Sequence, residues 1–117
     1  MNIEDFREYC VQKKGVTEEF PFDKNTLVFK VMGKMFALTN VELFDFVNLK
    51  CDVEKAIELR EKFEGILPGY HMSKTHWNSV FINSDMNNQL FIELIDDSYN
   101  LVAKSLSKKL REELEKC

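Results

Sequence analysis

The chain has 117 residues, of which 44% are hydrophobic and 31% charged, and its net charge at neutral pH is −4. This size and balance are typical of one globular domain with its own core, which we place at residues 1–117. No apolar run approaches the roughly 20 residues that a membrane helix needs, and the acidic amino-terminal segment lacks a signal-peptide pattern, so we predict a cytoplasmic protein that does not enter a membrane. The acidic excess argues against tight non-specific binding to nucleic acid.

The first half of the chain predicts a helix followed by strands. Apolar residues recur at helical spacing between residues 2 and 14, with Asn2 as the N-cap and Gly15 after the last turn. An extended segment follows, up to Pro21. Alternating residues between 26 and 39 predict a β-hairpin with Gly33 and Lys34 in its turn, and residues 44–51 predict a further strand.

The second half predicts two helical regions separated by a strand. Asp52 is the predicted N-cap of a helix. The predicted inner stripe of that helix is Val53, Ala56, Ile57, Arg60 and Phe63. Glycine and proline between 65 and 69 end this helix, and β-forming residues at 75–82 predict a strand. A long final helix follows, with a break near Ser105 before a short terminal helix, and we expect Ser98 and Tyr99 to hold it against the sheet.

Three cysteines are spread through the chain, at Cys10, Cys51 and Cys117. Their number is odd and no spacing resembles a metal-binding or redox pair. We therefore predict reduced thiols, two of them half-buried on amphipathic elements and one at the end of the chain.

Both histidines and the only tryptophan lie within residues 69–82. In a strand, Trp77 is more often a core residue than a ring that stacks on a base, although both roles are open. His71 and His76 are five residues apart and can share a metal only across a turn, without an evident third ligand, so we predict no metal. Nothing places a nucleophile beside His76, which favours a binding module without a cofactor over an enzyme.

Two motifs in the second half resemble those of the MmcQ/YjbR family of small bacterial proteins. The first is PGYHMSKTHWNSV at residues 68–80, and the second is LFIELIDDSYNLVAKSL at residues 90–106. The matching positions are Pro68, Tyr70, His71, Met72, Lys74, His76, Trp77, Asn78, Leu94, Ile95, Ser98, Tyr99, Leu101 and Val102. The resemblance covers essentially the whole chain. It implies an α+β domain similar to CyaY and frataxin, in which helices pack on one face of an antiparallel sheet.

The resemblance also implies a function, since members of that family are described as DNA-binding proteins with a "double wing" arrangement. We predict weak, salt-dependent binding to DNA by a monomer, with lysines contacting phosphates and Asn78 and the aromatic residues contacting bases or ribose. The candidate residues are Lys30, Lys34, Tyr70, His71, Lys74, His76, Trp77 and Asn78. The alternative is a protein-interaction or weak metal-binding module that uses the acidic first helix, around Glu4, Asp5 and Glu8.

Overall fold

The computed structural model describes residues 1–117, which form four helices and six strands. The strands are β1 (Val16–Glu19), β2 (Thr26–Val31), β3 (Lys34–Asn40), β4 (Phe46–Lys50), β5 (Ile66–Pro68) and β6 (Trp77–Phe81). The helices are α1 (Ile3–Val11), α2 (Val53–Lys62), α3 (Asn88–Lys104) and α4 (Lys108–Glu115). None of these helices has both the length and the apolar content to span a lipid bilayer.

The six strands form one sheet in the order β1-β2-β3-β4-β6-β5, and every neighbouring pair is antiparallel. Helix α2 connects β4 to the edge strand β5, and β6 then returns between them. In the register, Val31 lies opposite Lys34, and Lys50 lies opposite Trp77. Because strand direction alternates, the β2–β3 turn, the end of β4 and the β5–β6 loop all lie at the same end of the sheet, here called the turn end.

Local signals place the starts of α1 and α2 as predicted, whereas α1 ends at Val11, three residues before the predicted end at residue 14, and Gly15 follows in a turn. The side chains of Asn2 and Asp52 accept hydrogen bonds from the first turns of α1 and α2, and Ser105 and Ser107 mark the break between α3 and α4. The predicted hairpin turn is wrong by one residue. Met32 and Gly33 form the turn, with φ angles of +49° and +87°. Positive φ at both central residues is the requirement of the two-residue hairpin turn whose twist matches that of the flanking strands.

The core lies between the four helices and one face of the sheet. Residues with side chains on that face, such as Phe29, Val47 and Val80, pack against Phe6 of α1 and Ile95 of α3 in one cluster of buried side chains. This confirms the predicted α+β architecture with helices on one face of an antiparallel sheet. The predicted stripe of α2 needs correction, since Val53 and Ile57 are exposed while Ala56 and Leu59 are buried. The stripe is displaced because α2 packs near the sheet edge and contacts β5.

Ser98 joins α3 to the sheet, as expected. Its hydroxyl donates to the carbonyl oxygen of Phe36 at 2.6 Å and accepts from the backbone N–H of Lys50 at 2.8 Å. Phe36 lies at a β-bulge where the register of β2 and β3 shifts, and the pairing of β3 with β4 begins only at Ala37. The serine side chain therefore satisfies two backbone groups that regular strand pairing leaves free. Tyr99 secures the same helix to the loop after α1, donating to the carbonyl of Lys14 at 2.6 Å.

Candidate functional site on the open face of the sheet

The second face of the sheet has no helix over it, and we call it the open face. Side chains alternate along each strand, so the residues between the core positions point to this side. Val28, Leu38 and Trp77 form a small buried cluster here, and Met35 and Met72 pack against it. The indole of Trp77 is only 8% exposed, so the ring is a packing element of the open face and not a free stacking platform.

The loop between β5 and β6 folds back across the open face and is fixed there through Tyr70. The hydroxyl of Ser79 accepts from the backbone N–H of Tyr70 at 2.9 Å, and the amide of Asn48 donates to its carbonyl at 3.0 Å. Ser79 and Asn48 also bond each other at 2.5 Å. Both are buried, at 3% and 8% exposure, on a face that has no helix to cover it. This network holds Tyr70 above the sheet, where its ring meets Phe46 edge-on at 6.0 Å.

A cavity of about 600 Å³ lies beside this loop, and we call it the apolar groove. Leu38, Phe46 and Met35 lie along its length, and the side chains of Phe22, Leu43 and Tyr70 stand around it at 65%, 69% and 58% exposure. It is also lined by Thr26, Thr39, Asn40, Asp45, Asn48, His71 and Met72. A concave cavity of this volume, lined mainly by hydrophobic side chains with a few polar groups, has the character of a small-molecule site, so the groove is the first candidate site.

His71 lies at the loop side of the groove in an unusual backbone conformation. Its φ angle is +58°, in the left-handed region that costs a residue other than glycine about 1 kcal/mol or more. Its imidazole packs on the ring of Tyr70 with 4.0 Å between centroids. The two rings are tilted by 57° to each other, and both residues line the groove.

A second cavity, of about 440 Å³, lies at the turn end of the sheet, where it reaches from Trp77 on the open face to Ser105 at the end of α3, and we call it the lysine pocket. Lys30, Lys34 and Lys50 line it together with Trp77, and no acidic residue does. Lys30 forms a salt bridge with Glu19 at 3.1 Å. Lys34 and Lys50 take part in none of the four salt bridges of the structure, and the ammonium of Lys34 donates a long hydrogen bond, of 3.4 Å, to the carbonyl of Ser105 at the end of α3. The pocket is thus a cationic region on a chain that is acidic as a whole.

The structure brings most of the predicted site residues to one region. Lys30, Lys34 and Trp77 line the lysine pocket, and Tyr70 and His71 line the apolar groove. The remaining candidates of the β5–β6 loop are exposed near the turn end; they are Lys74 and His76. The ammonium of Lys74 reaches back to the carbonyl of Gly69 at 3.1 Å, within its own loop.

Asn78 does not join this region. Its side chain points to the helix side of the sheet and is 2% exposed. It accepts from Nε of Arg60 at 2.6 Å and donates weakly to the carbonyl of Ala56 at 3.5 Å. The same guanidinium also donates to the carbonyl oxygens of Lys74 and Trp77. Asn78 therefore anchors an arginine that ties helix α2 to the β5–β6 loop, and it has no access to a ligand on the open face.

Sequence reasoning missed several residues that shape the site. They are Phe22, Met35, Leu43, Phe46, Asn48, Lys50 and Ser79. The only available signal was the alternation of β4, where polar Asn48 and Lys50 interleave with Val47 and Leu49 and so mark a second face that is not core. Phe22 and Leu43 lie in loops, where sequence pattern carries no information on their neighbours.

The acidic first helix carries a smaller cavity, of about 220 Å³, which is lined by Glu4, Arg7, Glu8, Val11 and Glu18. Arg7 pairs with Glu18 through two hydrogen bonds, at 2.6 and 3.0 Å, which balances part of the acidic charge next to α1. No group of three or more histidine, cysteine, aspartate or glutamate side chains is placed to hold a metal ion. Cys10 and Cys51 are buried, and burial raises the pKa of both thiols, to about 12 for Cys10.

The fold and this surface define a class of small α+β protein in which helices cover one face of an antiparallel sheet and the other face carries an open groove. Comparison with known proteins shows which family this is. The YjbR family matches residues 11–101, and the chain belongs to that family. Similar proteins include YbdF of Escherichia coli O157:H7, 40% identical over 91 residues, or 77% of this chain and 75% of that one. YjbR of Escherichia coli K12 is 29% identical over 95% of each chain.

Solved structures are similar over nearly the same extent. The crystal structure of Deinococcus radiodurans protein DR2400 superposes with a TM-score of 0.90 at 39% identity, covering 97% of this chain and 88% of that one. A crystal structure of a Pseudomonas syringae protein gives 0.73 at 30% identity, covering 86% and 98%. The names of these relatives state no activity, so the function has to be argued from the open face itself.

Proposed function

We propose that the chain is a binding module for single-stranded DNA, which lies across the open face at its turn end. The observation that carries this proposal is the convergence of Lys30, Lys34 and Lys50 in one pocket without an acidic lining residue. Lys74 lies in the neighbouring loop and adds a fourth positive charge at the same end. A polyanion gains affinity from such a cluster mainly by the release of its counterions.

Exposed rings beside these lysines favour a single strand over a duplex. Phe22 lines the pocket and Tyr70 lines the adjoining groove; both are more than half exposed, and the ring of His71 lies tilted against that of Tyr70. Unpaired bases expose their faces to such rings, whereas the bases of a duplex are stacked on one another and do not. Trp77 supports this surface from below, and Asn78 only positions the loop through Arg60.

The test is fluorescence anisotropy of a labelled thymidine 12-mer and of a matched duplex, titrated with protein at two low salt concentrations. Three or four phosphate contacts predict weak binding. For a single strand, the logarithm of the association constant should fall against the logarithm of the salt concentration with a slope of about −2 to −3. We expect the double variant Lys34→Ala/Lys50→Ala to lose most of the binding and to lower the slope by about 1.4, since each contact contributes about 0.7.

The matched control is Lys108→Ala/Lys109→Ala, which removes the same charge from exposed positions of α4. If the control variant loses as much affinity as the pocket variant, the protein attracts DNA through its overall charge and the open face is not the site. Absence of binding by the unaltered protein at the lowest salt also rules the proposal out.

A further inference from the structure

The apolar groove and the lysine pocket are parts of one continuous surface. Phe22 and Met35 line both cavities, so a single molecule can occupy the two together. Seven of the thirteen residues that line the groove are hydrophobic, while the pocket brings together three lysines. The surface therefore has a long apolar part and a cationic end. It is complementary to a small molecule with a hydrocarbon tail and an anionic head group.

We propose that this combined site binds a medium-chain acyl carboxylate, with its tail in the apolar groove and its carboxylate at Lys34 and Lys50. The groove has the size of a small-molecule site and is largely preformed by the network that holds Tyr70. This inference does not depend on DNA binding, although the two ligands use the same lysines and are expected to compete.

The length of the site matches such a chain. Strand β4 runs from Phe46 at the groove to Lys50 at the pocket, four residue steps that span about 13 Å in an extended strand. An extended acyl chain of decanoate size covers this distance. The charge at each end sets its direction, because Asp45 lines the groove away from the lysines and repels a carboxylate placed there.

Hydrogen bonding within the groove is compatible with an acyl tail. The polar side chains of Thr39, Asn40 and Asn48 are already bonded to backbone groups of the protein. A hydrocarbon chain placed beside them adds no polar group of its own that would need a partner. Met35 and Met72 add flexible, polarisable side chains that adapt to an apolar ligand.

Trp77 provides the readout, because it is the only tryptophan and it lines the lysine pocket. We would titrate the protein with sodium decanoate below its micelle-forming concentration, following tryptophan fluorescence and heat of binding. Decanol and decyltrimethylammonium serve as the uncharged and cationic partners of the same length. We expect saturable binding of decanoate about fivefold to tenfold tighter than that of decanol, from charge contacts in a partly exposed site, and weaker binding still of the cation.

Two variants separate the two halves of the site. Lys34→Gln/Lys50→Gln should reduce the affinity for decanoate to that for decanol, leaving decanol binding unchanged. Phe22→Ala should weaken both ligands, by about tenfold, through loss of apolar contact. Phe22 is 65% exposed, so its removal leaves the fold intact, and Ile57→Ala on the exposed side of α2 is the matched control.

Several results would overturn this inference. They are the absence of saturable binding up to millimolar decanoate, equal affinity for the anion and the cation, and a lysine variant that keeps the preference for decanoate. None of these would bear on the DNA proposal, which rests on salt dependence with an oligonucleotide. Absence of DNA binding by the unaltered protein would in turn leave the acyl proposal standing, because decanoate binding is measured directly.

Discussion

The Ser79→Ala substitution tests whether the hydrogen bonds of Ser79 hold the β5–β6 loop in place on the open face. The hydroxyl of Ser79 donates to Oδ1 of Asn48 at 2.5 Å and accepts from the N–H of Tyr70 at 2.9 Å, at 3% exposure. Alanine removes both bonds and leaves an amide oxygen and a backbone N–H without partners. At about 1 to 1.5 kcal/mol for each, the free energy of unfolding should fall by about 2 to 3 kcal/mol. For a domain of this size, that corresponds to a decrease of Tm of about 10 °C.

The measurement is urea unfolding followed by circular dichroism, together with hydrogen exchange of the Tyr70 amide. Exchange at this amide should become faster than the loss of global stability alone can explain, because the loop can now open without unfolding of the whole domain. Ser84→Ala is the matched control, since Ser84 is exposed and bonds only the carbonyl of Phe81 nearby in sequence. Its effect should stay within about 0.5 kcal/mol.

If the Ser79→Ala variant is as stable as the unaltered protein and its Tyr70 amide is equally protected, the hydrogen bonds of Ser79 do not support the groove. The functional consequence follows the same logic. If the loop loosens, Tyr70 and His71 no longer define one side of the groove, so affinity for an apolar ligand should fall even though no lining side chain has been changed.

Two further predictions concern the helix side of the sheet. Ser98→Ala removes the bonds to the carbonyl of Phe36 and the N–H of Lys50, so we expect about 2 to 3 kcal/mol less stability in urea unfolding, and stability equal to the unaltered protein would contradict the bridging role. Burial holds the pKa of Cys10 at about 12, while Cys117 is exposed. Alkylation of the native protein at pH 8 should therefore modify Cys117 and spare Cys10 in peptide mapping, and rapid modification of Cys10 would show that the helix α1 interface opens.

The fold could be predicted to a large extent because its signals are local. Caps such as Asn2 and Asp52 are recognised from three or four neighbouring residues, and the alternation of β2 and β3 is long enough to be distinctive. Strand β5 was missed because it has only three residues, and its existence depends on pairing with β6, which comes later in the chain. The one-residue error in the hairpin turn arose because Met32 adopts positive φ, which its side chain does not favour.

The site was harder to predict than the fold. The groove is assembled from the β1–β2 loop, the β3–β4 turn and the β5–β6 loop, whose proximity is a property of the sheet order and not of any local pattern. One error was avoidable. Trp77 and Asn78 are neighbours in a strand, so their side chains must point to opposite faces and cannot both contact one ligand. This rule alone would have assigned Asn78 to the helix side.

Net charge is a poor guide to what the open face binds. The charge of −4 belongs to the whole chain, and acids such as Glu4 and Glu8 of α1 lie on the helix side. Charges on opposite sides of the sheet are separated by at least a helix layer, about 10 Å, which is comparable to the Debye length at 0.1 M salt. A ligand at Lys34 and Lys50 therefore senses these lysines far more than the distant acids. At low ionic strength the acids are less screened and reduce the benefit of the lysines for a small anion, so the affinity of that anion should vary with salt less steeply than the affinity of DNA.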